Sequence, residues 1–245
     1  MPNRHLKRPP LTLSASEISL FLDFDGTLVR LAERPDGVLV DSPLLSLLDR
    51  LSSRLSGRVA LLSGRSIAQL DEMLGGVPIA MAGSHGGEIR HRGMAAAPIL
   101  RPPALTIVER EFADAFGNKE GVIIEVKTLG VALHYRLDPP AAPAVHALAA
   151  RLGAEHGLDI QTGAMMVELR TTGHHKGTAL TAMMQDPPFA GHQPVFLGDD
   201  VTDEDGFAAC AALDGVGILV GPERESAARY RLDDVDDVRR WLSAL

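Results

Sequence analysis

The chain has 245 residues, 45% hydrophobic and 23% charged, and 32 acidic against 24 basic side chains give a formal net charge of −8. That balance argues against sequence-independent binding to nucleic acid or to an anionic membrane face, since both need a cationic surface. A single cysteine, Cys210, excludes an intrachain disulfide framework and a zinc site built on several thiolates, and 4% aromatic content leaves little for base stacking. Arg4, Lys7 and Arg8 precede an apolar stretch, but Pro9 and Pro10 interrupt the join, and Glu17, Asp23 and Asp25 break the stretch up. No apolar run approaches the ~20 residues of a membrane span. The expectation is a soluble, cytoplasmic globular chain in which residues 1–10 form a polar leader.

Ile18–Asp23 (ISLFLD) reads as a strand buried on both faces. Leu44–Leu55 has helical spacing behind the N-cap sequence Asp41-Ser42-Pro43. Strand Arg58–Leu62, helix Ser66–Leu74 closed by Gly75-Gly76, and strand Val77–Met81 follow, before the Gly-rich stretch Gly83–Gly87 and Glu88–His91. This alternation predicts a doubly wound α/β domain. Pro98, Pro102 and Pro103 then mark a linker. Beyond it the pattern is a helix over about Ala104–Phe116, strands Val122–Lys127 and Val131–Arg136, a helix over about Ala141–His156, and strands Leu158–Gln161 and Met165–Arg170. Helix, hairpin, helix, hairpin predicts a small antiparallel sheet backed by two helices, inserted as a separate α+β module. The α/β pattern resumes with helix Gly177–Met184, strand Pro194–Leu197, helix Thr202–Ala212, strand Val216–Val220 and the closing helix Val235–Leu245. The predicted organisation is a core of residues 1–100 and 171–245, split by a cap of residues 101–170.

The chemistry concentrates where buried strands end. Asp23-Phe24-Asp25-Gly26-Thr27 follows the first strand, and in open α/β sheets ligands bind at the C-terminal strand ends. Two carboxylates so close to buried strand repel one another, and a cation between them relieves that cost. Taken alone, Asp-x-Asp-Gly favours such a site over its alternative, an ordinary acidic loop. A second cluster, Gly198-Asp199-Asp200-Val201-Thr202-Asp203-Glu204-Asp205, ends another strand and opens a helix, so Asp199 and Asp200 should face the same crevice. Asp203, Glu204 and Asp205 also suit the charge preference of a helix N-terminus. Carboxylates converging from two strand ends fit a hard, oxygen-ligated ion such as Mg²⁺. Ser63-Gly64-Arg65 follows the second strand at a helix start, where a hydroxyl and backbone N–H groups suit an anion. Lys176 opens a further helix and is a counter-ion for carboxylate and phosphate alike.

In order, DFDGT, Ser63 after a strand, Lys176 before a helix, and GDD-x-x-D resemble the four motifs of the haloacid dehalogenase superfamily of phosphotransferases. The resemblance implies that Asp23 is the nucleophile that becomes an aspartyl phosphate and that Asp25 is the general acid/base. It implies Mg²⁺ held by Asp23, the backbone carbonyl of Asp25, Asp199 and Asp203, with Asp203 reaching the ion through water and Asp200 standing behind. Ser63, Gly64 and Lys176 would hold the phosphoryl oxygens.

GDDVTDEDGF at Gly198–Phe207, with Ser63-Gly64-Arg65 and Ser84-His85-Gly86, is similar more narrowly to the trehalose-6-phosphate phosphatases. That family carries an α-β-β-α-β-β cap between its second and third motifs. It reads the disaccharide with Glu and Lys on one strand, Arg on the next, and Glu before the third-motif Lys. Glu125, Lys127, Arg136 and Glu168 stand in those places, and His85 is a further candidate for the substrate crevice. The implied substrate is a small molecule, trehalose 6-phosphate, with no nucleic acid or membrane partner. Two other readings stay open here. One is a phosphatase of another sugar phosphate, such as sucrose 6-phosphate. The other is a phospho-accepting switch, against which Asp25 and the cap both count.

Overall fold

The five residues of β1 (Ile18–Leu22) are all buried, and the strand runs at the centre of a seven-stranded sheet. The chain continues through α1 (Ser42–Arg54), β2 (Val59–Leu62), α2 (Ile67–Leu74), β3 (Ala80–Gly83) and β4 (Glu88–Arg90). After an intervening segment come α5 (Lys176–Met183), β9 (Gln193–Gly198), α6 (Glu204–Ala212), β10 (Val216–Val220), β11 (Tyr230–Leu232) and α7 (Val235–Ala244). Strand order is β11-β10-β9-β1-β2-β3-β4, parallel throughout except for the antiparallel edge strand β4. The description rests on a computed structural model covering residues 6–10, 14–32, 37–95, 100–163 and 165–245.

Alternation along the strands feeds two cores. Leu20 and Leu22 point with Val59, Leu61, Val195 and Leu197 toward α1, α2 and α7. Phe21, Ala60, Leu62 and Phe196 point the other way, against Leu180 and Met183 of α5 and Phe207 of α6. Both sheet faces are thus covered by helices, which is why these strands lack a polar face. Local signals set the helix starts. The Asp41 carboxylate accepts from the Leu44 N–H at 3.0 Å, and Ser66 and Gln69 form a reciprocal capping box on α2.

Residues Met1–Ala97 and His175–Leu245 form one compact unit and Pro98–His174 a second. The second contains α3 (Pro103–Phe116), β5 (Ile123–Val126), β6 (Gly130–His134), α4 (Ala142–His156), β7 (Asp159–Gly163) and β8 (Met166–Arg170). Its sheet, in the order β5-β6-β8-β7, is wholly antiparallel. Ile124, Val131, Leu133, Val167 and Leu169 turn one face onto Leu105, Val108 and Phe112 of α3 and Val145, Ala149 and Leu152 of α4. Alternation puts Glu125, Ala132 and Glu168, paired across the strands, on the other face. The fold class is as expected: α/β, a parallel core sheet with an inserted antiparallel α+β cap.

Some expectations shift. The third strand begins at Ala80 rather than Val77, because Pro78 has no N–H for the ladder and the chain turns between Val77 and Ile79. β6 stops at His134, so Arg136 lies in the exposed turn beyond it and not on the strand. Of the expected leader, residues 1–5 lie outside the described residues. Lys7 instead bridges Tyr230, and Arg8 pairs with Asp237, so residues 6–8 are tied to the body of the domain. Of the expected linker, residues 97–103, the first three also fall outside the described residues. Among the described residues no helix is long and apolar enough to cross a membrane.

Candidate active site

β1 and β9 are neighbours in register, Leu22 opposite Leu197, so their ends release Asp23 and Asp199 side by side. The Asp23 N–H donates to the Leu197 carbonyl at 2.9 Å, which carries the pairing one residue beyond the strand. α5 and α6 supply the remainder. Lys176, the first residue of α5, donates from Nζ to Asp23 Oδ1 at 2.6 Å and to Asp203 Oδ1 at 2.5 Å. The other oxygen of Asp203 accepts from the N–H groups of Asp199 and Asp200, each at 2.9 Å. Asp23 and Lys176 are each only 4% exposed and Asp203 is fully buried.

The turn after Asp23 needs its glycine twice over. Gly26 has φ +87°, and a Cβ there would lie 2.1 Å from Asp199 Oδ2. The Thr27 hydroxyl donates to Asp199 Oδ1 at 3.3 Å.

Charge in this cluster is unbalanced. Burial is the main force pushing the Asp23 carboxyl well above the usual carboxylate range; Asp203 and Asp199 add to the push, while Lys176 opposes it. Burial and then Asp203 raise Asp199 to about 6. Burial pulls Lys176 down, but Asp203 and Asp23 overcome it and hold the ammonium above the ordinary lysine range. One ammonium therefore serves three carboxylates. Asp23, Asp199 and Asp203 each offer an oxygen within 4.8 Å of the others, an all-oxygen set that fits a hard divalent cation. Gly26 leaves free the space that a side chain would take from it.

Asp25 stands apart from those three. Arg65 Nε and Nη2 donate to its two oxygens, each at 2.7 Å. The Arg65 N–H also donates to Ser63 Oγ at 3.1 Å, so the segment after β2 folds its hydroxyl inward. His85 lies against Gly64, where a Cβ would meet its ring at 2.7 Å, and its N–H donates to the Ser63 carbonyl at 2.9 Å. His85 and Ser84 both have positive φ, 56° and 48°. Buried Glu88 holds this strained turn, accepting from Ser84 Oγ at 2.5 Å and from the Ile67 N–H at 3.1 Å. Asp23, Ser63, Gly64, His85, Asp199 and Asp203 thus belong to one unit, on segments that leave the C-terminal ends of parallel strands, and Lys176 joins them from the first turn of α5. Sequence reasoning gave no role to Arg65 or Glu88, each of which reaches a partner far off in sequence, Asp25 at 40 residues and Ile67 at 21.

Within the second unit the structure brings three of the four expected residues together. Lys127 Nζ donates to Glu168 Oε2 at 2.7 Å and lies 4.0 Å from Glu125 Oε2. Glu125 also meets His134 Nε2 at 2.8 Å. Arg136, in its turn, lies off this sheet face. Cys210 is core, its thiol raised to about 12 by burial.

Comparison with known proteins fits this geometry. The trehalose-phosphatase family profile matches residues 21–236. The trehalose-6-phosphate phosphatase of Escherichia coli is 35% identical over 233 residues, covering 94% of this chain and 87% of that protein. A probable trehalose-phosphate phosphatase of Sinorhizobium fredii is 39% identical over 236 residues, covering 93% and 87%. The crystal structure of a trehalose-6-phosphate phosphatase related protein superposes with a TM-score of 0.78 at 28% identity, covering 92% of this chain and 95% of that one. The chain thus belongs to the trehalose-phosphatase family.

Proposed function

We propose that this protein hydrolyses trehalose 6-phosphate to trehalose and inorganic phosphate in the cytoplasm, with Asp23 as nucleophile. The observation that carries the reading is the Lys176 bridge between Asp23 and Asp203, which holds a buried carboxylate in place at a strand end. An Asp23 oxygen attacks phosphorus, and the bond from phosphorus to the sugar oxygen breaks. Asp25 gives the leaving oxygen its proton. Asp25 then takes a proton from water as that water attacks phosphorus, releasing phosphate and restoring Asp23. The Ser63 hydroxyl and Gly64 N–H donate to the phosphoryl oxygens, and Lys176 neutralises charge on them and on Asp23.

Mg²⁺, held by Asp23, Asp199, Asp203 and the Asp25 backbone carbonyl, would add positive charge at the phosphoryl oxygens when bound. We read residues 1–100 with 171–245 as the catalytic core and residues 101–170 as the cap that recognises substrate. In the cap, Glu125, Lys127, Arg136 and Glu168 bind the disaccharide, and in the core His85 lines the crevice. Phosphate release should be measured on trehalose 6-phosphate, sucrose 6-phosphate and glucose 6-phosphate, with and without Mg²⁺. Preference for the first, abolished by chelator, is the expected result. Preference for another sugar phosphate would move the substrate and keep the chemistry.

A further inference from the structure

Arg224 lies between β10 and β11, outside every motif, yet it grips the acidic turn from behind. Its Nη2 donates to the Asp200 carbonyl at 2.8 Å and reaches the Asp199 carbonyl at 3.5 Å. Its Nη1 pairs with Glu204 Oε1 and donates to the Glu225 carbonyl at 3.1 Å. Glu204 in turn accepts from the Ala227 N–H at 2.8 Å, so the guanidinium is anchored at both ends.

A trans peptide points its C=O and its N–H in opposite directions. The Asp199–Asp200 peptide therefore shows its carbonyl to Arg224 and its N–H to Asp203 Oδ2, which is bonded at 2.9 Å. Asp203 Oδ1 continues through Lys176 to Asp23. One side of this turn is thus pinned by the Lys176 network and the other by Arg224.

We infer that Arg224, anchored by Glu204, is a positioning residue that sets the Asp199–Asp203 turn so that its carboxylates can hold a divalent cation beside Asp23. The inference rests on the reading of Asp23, Asp199 and Asp203 as a cation site. Arg224 carries a positive charge, and deleting charge alone would favour a cation. That charge is already paired with Glu204, and both side chains are 27% exposed, so solvent screens what is left. Geometry therefore governs the sign, and losing the grip weakens the site. Partners that orient metal ligands from outside typically contribute ten- to a hundredfold in affinity.

The test is direct Mn²⁺ binding by electron paramagnetic resonance to the full-length wild type, Arg224→Ala, Arg224→Lys, Glu204→Gln and Asp199→Asn, with circular dichroism to check folding. Arg224→Ala should bind Mn²⁺ on the order of tenfold or more weakly, with Arg224→Lys between it and the wild type. Most of its lost phosphatase activity should return as Mg²⁺ is raised, which a general folding defect would not allow. If Arg224→Ala fails to fold, Glu204→Gln carries the same expectation in smaller measure. Folded Arg224→Ala, or in its place Glu204→Gln, binding Mn²⁺ as tightly as the wild type would overturn the inference while leaving the cation site intact. Wild type and Asp199→Asn binding alike, or neither binding, would remove the cation site and the inference with it.

Discussion

Arg65 closes both oxygens of Asp25 in a two-pronged pair, at 2.7 Å on each prong, while Asp23 two residues earlier is bound by Lys176. The two aspartates of one short motif are thereby given separate cations and separate surroundings. The Asp23 side chain is 5% exposed, whereas that of Asp25 is 27% exposed. An aspartate that must deliver and then collect a proton needs access to water and leaving group, and the more open position suits it.

For Asp25 to reach a leaving oxygen, the Arg65 pair must open or share its carboxylate. Arg65→Ala should lower kcat for trehalose 6-phosphate by about ten- to a hundredfold, through loss of Asp25 orientation. Asp25→Asn should lose on the order of 10²–10⁴, the usual worth of a general acid/base. Steady-state kinetics on both variants checks the ranking. An Arg65→Ala loss as large as that of Asp25→Asn would mean that Arg65 itself meets the substrate.

The raised carboxyls give the metal-free protein an unusual pH dependence. Asp199 has a folded value of about 6 against 3.8 in a free carboxylate, so the folded state holds its proton more tightly. Its contribution is fully present below pH ~3.8 and is lost as pH rises through about 6, a change on the order of 2–3 kcal/mol. Asp23 acts in the same direction. Asp237 acts in the opposite one: its burial alone would raise it, but Arg8 and the Asp233 N–H hold it below the usual range. That contribution is present above pH ~3.8 and lost as pH falls through the lowered folded value. Metal-free protein should therefore show a higher Tm at pH 5 than at pH 7.5, and Mg²⁺ should raise Tm most at pH 7.5. A flat Tm between these pH values, with or without Mg²⁺, would contradict the unbalanced charge described for the cluster.

Gly26→Ala tests the space beside the carboxylates. Its Cβ would meet Asp199 Oδ2 at 2.1 Å, and φ +87° adds strain, so Asp199 must move. Mn²⁺ affinity and phosphate release should both fall at least tenfold. Wild-type Mn²⁺ affinity in a folded Gly26→Ala protein would show that Asp199 is not needed where it stands.

In the cap, Glu168 and Lys127 are both almost wholly buried and joined at 2.7 Å. Removing Glu168 leaves the buried Lys127 ammonium with only the more distant Glu125 carboxylate at 4.0 Å, and weakening a buried pair in this way costs up to about 3–5 kcal/mol. Glu168→Ala should thus lower Tm as well as activity. Glu125, partly exposed, separates binding from stability. Glu125→Ala should reduce kcat/KM for trehalose 6-phosphate on the order of ten- to a hundredfold, with little effect on an aryl phosphate that makes no sugar contacts. A parallel fall for both substrates would assign Glu125 to folding or closure instead.

The strand-end chemistry was legible because apolar runs that stop abruptly at Asp23, Ser63 and Asp199 leave those groups only one end of a parallel sheet to occupy. The alternating core strands and the inserted antiparallel module were legible from periodicity for the same reason. β11 was not, since Tyr230-Arg231-Leu232 is short and flanked by charge, and its place depends on pairing with β10. The grips of Arg65, Glu88 and Arg224 were also hidden. Arg224 bonds mainly to backbone carbonyls 24 and 25 residues away, and a carbonyl has no signature in sequence. Arg136 was expected at the end of the strand-like run Val131–Arg136, and its role came from the family resemblance, but β6 ends two residues before it.

The most direct test compares phosphate release from trehalose 6-phosphate by the wild type and Asp23→Asn at saturating Mg²⁺, with circular dichroism to confirm folding. Asn removes the attacking charge while keeping the shape, so Asp23→Asn should fold and lose several powers of ten in kcat. A folded Asp23→Asn protein releasing phosphate at a near-wild-type rate would contradict the account at its centre.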